Sequence, residues 1–294
     1  MAERLHRRLL ACVVLLLCGA AHAASTLSPA VKPAATRVVS LGGDITEIIY
    51  QLQAEATLVG VDVTSVWPAA AQALPQVGYV RQLGAEGILA LRPTLAIATH
   101  DAGPPNVLAQ LRDAGVKVEI LPETRTAAAI AAKARTIGAL LDRRPQAEAL
   151  AADVERQARA LATKVEAMPH HPRTVFLMSA ASGGLMVAGR GTAAESAIAL
   201  AGGDNVVTAY EGYKPLATEA LVQLKPDVLL LMDSRGAGDG AVAEVQKIPA
   251  VQQTPAGRAG RVLKIDGQAL LGYGARTIEA ATALQARLAA VPAP

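Results

Sequence analysis

The chain has 294 residues, is 52% hydrophobic, carries a formal net charge of +3 and contains one Trp, one Phe and five Tyr. That length and apolar content are enough for two cores and exclude a disordered chain, and no basic run with interleaved aromatics offers a nucleic-acid surface. Both cysteines, Cys12 and Cys18, fall in a segment expected to be removed, which excludes a disulfide, a zinc-thiolate site or a cysteine nucleophile in the mature chain.

Arg4, Arg7 and Arg8, the apolar run from Leu9 to Cys18 and then Ala21-His22-Ala23 have the basic, hydrophobic and small-residue parts of a secretory signal. Residues 1–23 are therefore expected to be cleaved, which sends the mature chain to an oxidising compartment, and 24–36 reads as a Ser/Pro/Ala-rich flexible leader. Leu17 stands before Cys18 where a lipid-anchored chain would carry a small residue. Removing Arg4, Arg7, Arg8 and Glu3 with the signal brings the charge from +3 to +1.

The mature chain alternates strand and helix patterns, which predicts an α/β fold with mostly parallel strands flanked by helices. Arg37 to Leu41 is a strand, and Asp44 with Glu47 three residues on reads as an N-cap for a helix that buries Ile45, Ile48, Ile49 and Leu52. Strands follow at Thr57–Val61, Leu95–Ala98 and Val116–Leu121, with helices at about Ala85–Leu91, Asn106–Ala114 and Thr126–Leu141. From Gln146 to Met168 the residues favour one unbroken helix, long enough to bridge two lobes. A strand at Thr174–Met178, a capping box at Thr192-Ala193-Ala194-Glu195, strands at Val228–Met232 and Val262–Ile265 and a helix from Ala275 to Ala290 complete the chain. The expected organisation is an N-terminal α/β lobe over 37–144, an interlobe helix over 145–170 and a C-terminal α/β lobe over 171–294, with a cleft between the lobes.

An internal repeat supports two similar lobes. The run from Leu83 to Leu95 lies in register with Leu216 to Val228, so that Glu86 matches Glu219 and Arg92-Pro93 matches Lys225-Pro226.

Just before the first copy, Gly78-Tyr79-Val80-Arg81 puts a scarce tyrosine two residues from an arginine. In an extended segment both point to one side, where a guanidinium favours a phenolate, a hard oxygen ligand suited to ferric iron. A tyrosine lid on a core beside a solvated arginine is the structural alternative.

The stretch Gly78-Tyr79-x-Arg81-x-Leu83-x-x-Glu86-Gly87-x-Leu89-x-Leu91 resembles the periplasmic haem-binding proteins of bacterial haem-uptake ABC transporters, within the wider group that carries ferric siderophores and cobalamin. The resemblance covers nearly all of the mature chain. It implies that Tyr79 is an axial ligand to haem iron and that Arg81 hydrogen-bonds its oxygen. It also implies that Glu86 and Glu219, one on each lobe, dock on the inner-membrane permease with its ATPase, and that the chain is a monomeric carrier and not an enzyme. The alternative cargo is cobalamin or a ferric siderophore.

Relatives that hold two haems ligate the second through a histidine on the C-terminal lobe. Here Met178 to Gly189 contains none, so one haem per chain is expected, with Tyr210, Tyr213 or Met186 as conceivable substitutes. Tyr210, Tyr213 and Lys214 read as a loop facing the cleft. Gly189-Arg190-Gly191-Thr192-Ala193-Ala194 fits a dinucleotide fingerprint, which carries the rival reading of an exported dinucleotide-dependent enzyme. The same turn, with Arg190, could instead hold an anion such as a haem propionate, or be a plain capped turn. His100-Asp101 ends a strand without the partners catalysis needs, and His170-His171 reads as an exposed bend.

Overall fold

The computed structural model describes residues 36–123, 125–181, 184–233 and 240–293, so the expected signal and nearly all of the leader lie outside the described residues. In chain order the elements are β1 (Val38–Leu41), α1 (Gly43–Gln51), β2 (Leu58–Val61), β3 (Gly78–Tyr79), β4 (Gln82–Leu83), α2 (Ala85–Ala90), β5 (Leu95–Ala98), α3 (Pro105–Asp113), β6 (Lys117–Ile120), α4 (Ala127–Leu140) and α5 (Arg144–Glu166). The second half follows with β7 (Arg173–Ala181), β8 (Gly184–Ala188), α6 (Ala193–Leu200), β9 (Asp204–Asn205), β10 (Tyr213–Leu216), α7 (Thr218–Leu224) and β11 (Val228–Met232). It closes with α8 (Gly240–Lys247), α9 (Pro249–Gln252), α10 (Pro255–Arg258), β12 (Val262–Ile265), α11 (Gly267–Leu271) and α12 (Thr277–Ala289).

The first sheet has the order β2-β1-β5-β6 and is parallel throughout. Its inner strands β1 and β5 are buried on both faces because α1 and α4 cover one side and α2 and α3 the other, while the edge strand β6 is partly exposed. Ile45, Ile48, Ile49 and Leu52 of α1 are fully buried, each contributing about 1.5–3 kcal/mol. The second sheet has the order β10-β8-β7-β11-β12, with β9 on β7. Here β8 runs antiparallel to both β7 and β10, so the C-terminal sheet is mixed. The sequence pattern did not show β8 or β10, and Tyr213 and Lys214 stand on a strand and not on a loop.

Helix α5 runs 23 residues with Pro145 in its first turn, where a missing N–H costs nothing. Its Ala147 packs in the core beneath the first sheet, Val154 and Leu161 pack in the core beneath the second, and Leu150 touches both. No helix among the described residues is long and apolar enough to cross a membrane.

The repeat carries three-dimensional meaning. Glu86 and Glu219 are each the second residue of their helix, exposed, and Arg92 and Lys225 each leave the helix through a left-handed residue, with φ of 47° and 44°. The two turns are clamped alike. Arg37 donates from Nη2 to Leu91 O (2.7 Å) and from Nε to Arg92 O (3.0 Å), while Arg173 donates to Leu224 O (2.7 Å) and Lys225 O (3.4 Å). An arginine opening the first strand of each half thus replaces the partners that the helix's last carbonyls lack.

The expected cap of α1 is corrected. Gly42 holds the cap position without a side-chain hydrogen bond, and Asp44 and Glu47 lie inside the helix, 7% and 1% exposed. Their partners come from far along the chain. At α6 the capping threonine is as expected: Thr192 Oγ1 accepts from Glu195 N at 3.1 Å, while the Glu195 carboxylate reaches one residue further back, to Gly191 N at 2.6 Å.

Candidate functional site

A cleft of about 1060 Å³ is lined by the segments that follow the carboxyl ends of β1, β2, β5 and β6 on one side and of β11 and β12 on the other. Open α/β sheets place ligands there because helix starts and loop amides converge at that edge. The volume stands at the upper end of ordinary small-molecule pockets, room for a large ligand. Val66, Val80, Leu121, Ala193, Met232 and Leu271 provide its apolar surface.

Tyr79 reaches the cleft from the hairpin β3–β4, in which it pairs with Gln82. The turn is tied down by Leu83 N to Gly103 O at 2.8 Å and Gly103 N to Val80 O at 2.9 Å. Gly78 has φ of +96°, a conformation that favours glycine and that turns the strand into the hairpin.

Arg81 lies on the same side as Tyr79, as the i,i+2 spacing predicts, and donates from Nη1 to the tyrosine oxygen at 2.7 Å. Its Nε and Nη2 both meet Asp101 Oδ2 at 2.6 Å, and Thr99 Oγ1 donates to Asp101 Oδ1 at 2.7 Å. Partial burial works against ionisation of Asp101, but the hydrogen bonds from Thr99 and Arg81 and the Arg81 charge outweigh it and hold the carboxyl below the usual range. The guanidinium is thereby oriented from behind, with one edge on the carboxylate and one N–H left for Tyr79. Sequence reasoning missed Asp101 as its partner, since nothing in the spacing links position 81 to 101.

A seam of paired charges lies beside the cleft. Glu47 accepts from Arg276 Nε and Nη2 at 3.0 and 2.5 Å; the guanidinium also meets Asp266 Oδ2 at 3.0 Å and lies 4.6 Å from the centre of the Trp67 ring. Burial pushes the Glu47 carboxyl up, against the hydrogen bonds and charge of Arg276. Asp44 pairs with Lys133, which also donates to Tyr273 O at 3.2 Å. A Cβ on Gly274 would come within 2.8 Å of Glu47 Oε2, so glycine lets the two halves approach here.

The remaining sequence candidates divide. Tyr213 lines the cleft, edge-on to Phe176 with ring centroids 6.4 Å apart, and burial pushes its phenol up against the pull of the Arg125 and Arg81 charges. Tyr210, Lys214 and Arg190 do not line it. Alternation along β10 sends Lys214 to the face opposite Tyr213, where Nζ lies 5.5 Å from the Tyr210 ring. Tyr210 packs on Gly189, where a Cβ would fall 2.7 Å from the ring. Met186 is absorbed in the β8 pairings and also stays outside. Gly191 and Thr192 reach the wall, but the Gly191 N–H is taken by Glu195, which removes a donor from the proposed anion turn. His100 lines the cleft with Nε2 3.6 Å from Glu123. His171 Nδ1 lies 2.9 Å from Gly202 O, and both ring nitrogens of His170 are buried, so only His171 is exposed as expected.

Residues 38–269 match the periplasmic binding protein family. Among solved structures, the periplasmic heme-binding protein BhuT in complex with two hemes is 38% identical, with a TM-score of 0.82 over 87% of this chain and 98% of that one. The periplasmic heme-binding protein RhuT from Roseiflexus sp. RS-1 is 40% identical, with a TM-score of 0.81 over 87% and 98%. A vitamin B12-binding protein from Pectobacterium atrosepticum is 26% identical over 221 residues, 74% of this chain and 75% of that protein. The chain belongs to the periplasmic binding protein family, whose members here are substrate carriers and not enzymes.

Proposed function

We propose that the chain binds haem in this cleft through Tyr79 and delivers it in the periplasm to an ABC permease. The observation that carries the reading is the Arg81 Nη1 to Tyr79 oxygen contact of 2.7 Å at the wall of a cleft of about 1060 Å³. An oxygen ligand for ferric iron needs a nearby cation to favour its anionic form and an apolar enclosure to take the macrocycle. The chain has both, and the solved relatives at 38% and 40% identity are heme-binding proteins.

One haem per chain is the expected load, because the wall opposite Tyr79 offers the phenols of Tyr213 and Tyr273, both pushed up toward the neutral form by burial, and no histidine. Glu86 and Glu219, exposed at matching helix starts and without a hydrogen-bond partner among the described residues, are the acids proposed to meet the permease. Lysine at both positions should stop transport in reconstituted vesicles and leave ligand binding unchanged, since rim charges govern encounter and orientation.

The second reading is cobalamin, favoured by the vitamin B12-binding relative. Titration with hemin and, in parallel, with cyanocobalamin separates the two. A Soret band that saturates at one hemin per chain, with no uptake of cyanocobalamin, is the expected result; the reverse pattern overturns the haem assignment.

A further inference from the structure

Three cations line the cleft among the described residues, and two are already committed. Arg81 is held by Asp101 and Tyr79, and Lys133, 7% exposed, by Asp44 and the Tyr273 carbonyl. The third is Arg125, between β6 and α4. Its Nη2 pairs with Glu123, and its Nη1 crosses the cleft to donate to Gly191 O at 2.7 Å.

This crossing differs in kind from the seam at Glu47 and Arg276. There the charges are buried and face opposite charges, and breaking the pair leaves one stranded. At Arg125 the side chain is 33% exposed, Glu123 is 46% exposed, and the acceptor across the cleft is a neutral carbonyl on a turn. Water can replace that contact on either side at little cost. The Arg125 charge also reaches the opposite wall, where it lowers the phenols of Tyr213 and Tyr273 against the larger upward push of their burial.

We propose that Arg125 is the carboxylate receptor of the cleft: a ligand carboxylate takes Nη1 from the Gly191 carbonyl while Nη2 stays on Glu123. The exchange is favourable because a guanidinium holds an ionised oxygen more strongly than a neutral one. It selects cargo with acidic groups at its edge, such as the two propionates of haem. It rests on the haem reading given above and assigns a part of the ligand that Tyr79 does not contact.

The test compares hemin with its dimethyl ester, which keeps the iron and the ring but blocks both carboxylates. Soret absorbance and quenching of Trp67, the one tryptophan of the chain, follow binding to the wild type and to Arg125→Ala and Arg125→Lys. The expected result is a preference of about tenfold for hemin over the ester in the wild type, the size of one charged hydrogen bond, which disappears in Arg125→Ala and partly returns in Arg125→Lys. Equal loss for both compounds in Arg125→Ala, or a preference unchanged by the substitution, overturns the assignment and leaves the haem reading standing. A wild type that binds neither compound overturns both.

Discussion

Three tyrosines line the cleft, and the surroundings of two of them, Tyr79 and Tyr213, make them different groups. Tyr79 sits on a two-residue strand of a hairpin, with an arginine two positions on that is braced from behind by Asp101. Tyr213 sits in β10, the edge strand of the C-terminal sheet, half-buried with Phe176 edge-on to its ring. Burial pushes the Tyr213 phenol up, toward the neutral form, more strongly than the charges of Arg125 and Arg81 pull it down. The lesson is that a phenol becomes a candidate ligand through its neighbours: at Tyr79 an arginine donates directly to the oxygen, and at Tyr213 burial dominates.

The comparison can be broken most sharply at Tyr79. Tyr79→Phe keeps the ring and removes the oxygen, and hemin affinity measured by absorbance should fall by about 100-fold or more, with loss of the tyrosinate charge-transfer band. Arg81→Ala should cost about tenfold, the usual size of a partner behind a metal ligand, and should leave the band in place at saturating hemin. If Arg81→Ala binds like the wild type, the contact at 2.7 Å does not serve ligation.

Asp101 gives a smaller effect with a defined sign. Its folded carboxyl lies below the ordinary aspartate value of 3.8, so its contribution to stability is present above that value and is lost as pH falls through the folded one. Asp101→Asn should therefore unfold more easily than the wild type at pH 7, by about 1 kcal/mol or less because the pair is partly solvated, and the difference should close in strong acid. A difference that widens on acidification would show that Asp101 is not held as an anion. The smallest change is expected at Tyr213→Phe, which keeps the ring edge-on to Phe176 and should alter hemin affinity by no more than about twofold. A large loss of affinity there would place a ligand on the C-terminal wall.

Much of the architecture follows from short-range pattern. The parallel β-α alternation, the apolar stripe of α1, the length of α5 and the capping threonine at 192 all depend on residues within a few turns of one another. The Tyr79–Arg81 contact was legible for the same reason, because alternation along two residues dictates it. The match between Glu86 and Glu219 was legible as a repeat; the clamp that explains it, Arg37 and Arg173 on the ends of α2 and α7, was not, since each arginine reaches more than fifty residues along the chain.

The contacts that short-range pattern missed share one physical cause: a charged side chain carries no mark of its partner in the local sequence. Asp44 and Glu47 have the spacing of a helix cap and became buried ions, because Lys133 and Arg276 arrive from other elements to neutralise them. Asp101 reads as the end of a strand until the hairpin brings Arg81 to it. The mixed order of the C-terminal sheet, which turns Tyr213 inward and Lys214 away, required β8 to fold back on β7. Spacing along the chain sets the two α/β halves and the pairing of a tyrosine with its arginine; packing sets which groups meet across the cleft, because only there do residues as distant as Arg125 and Gly191 come within reach.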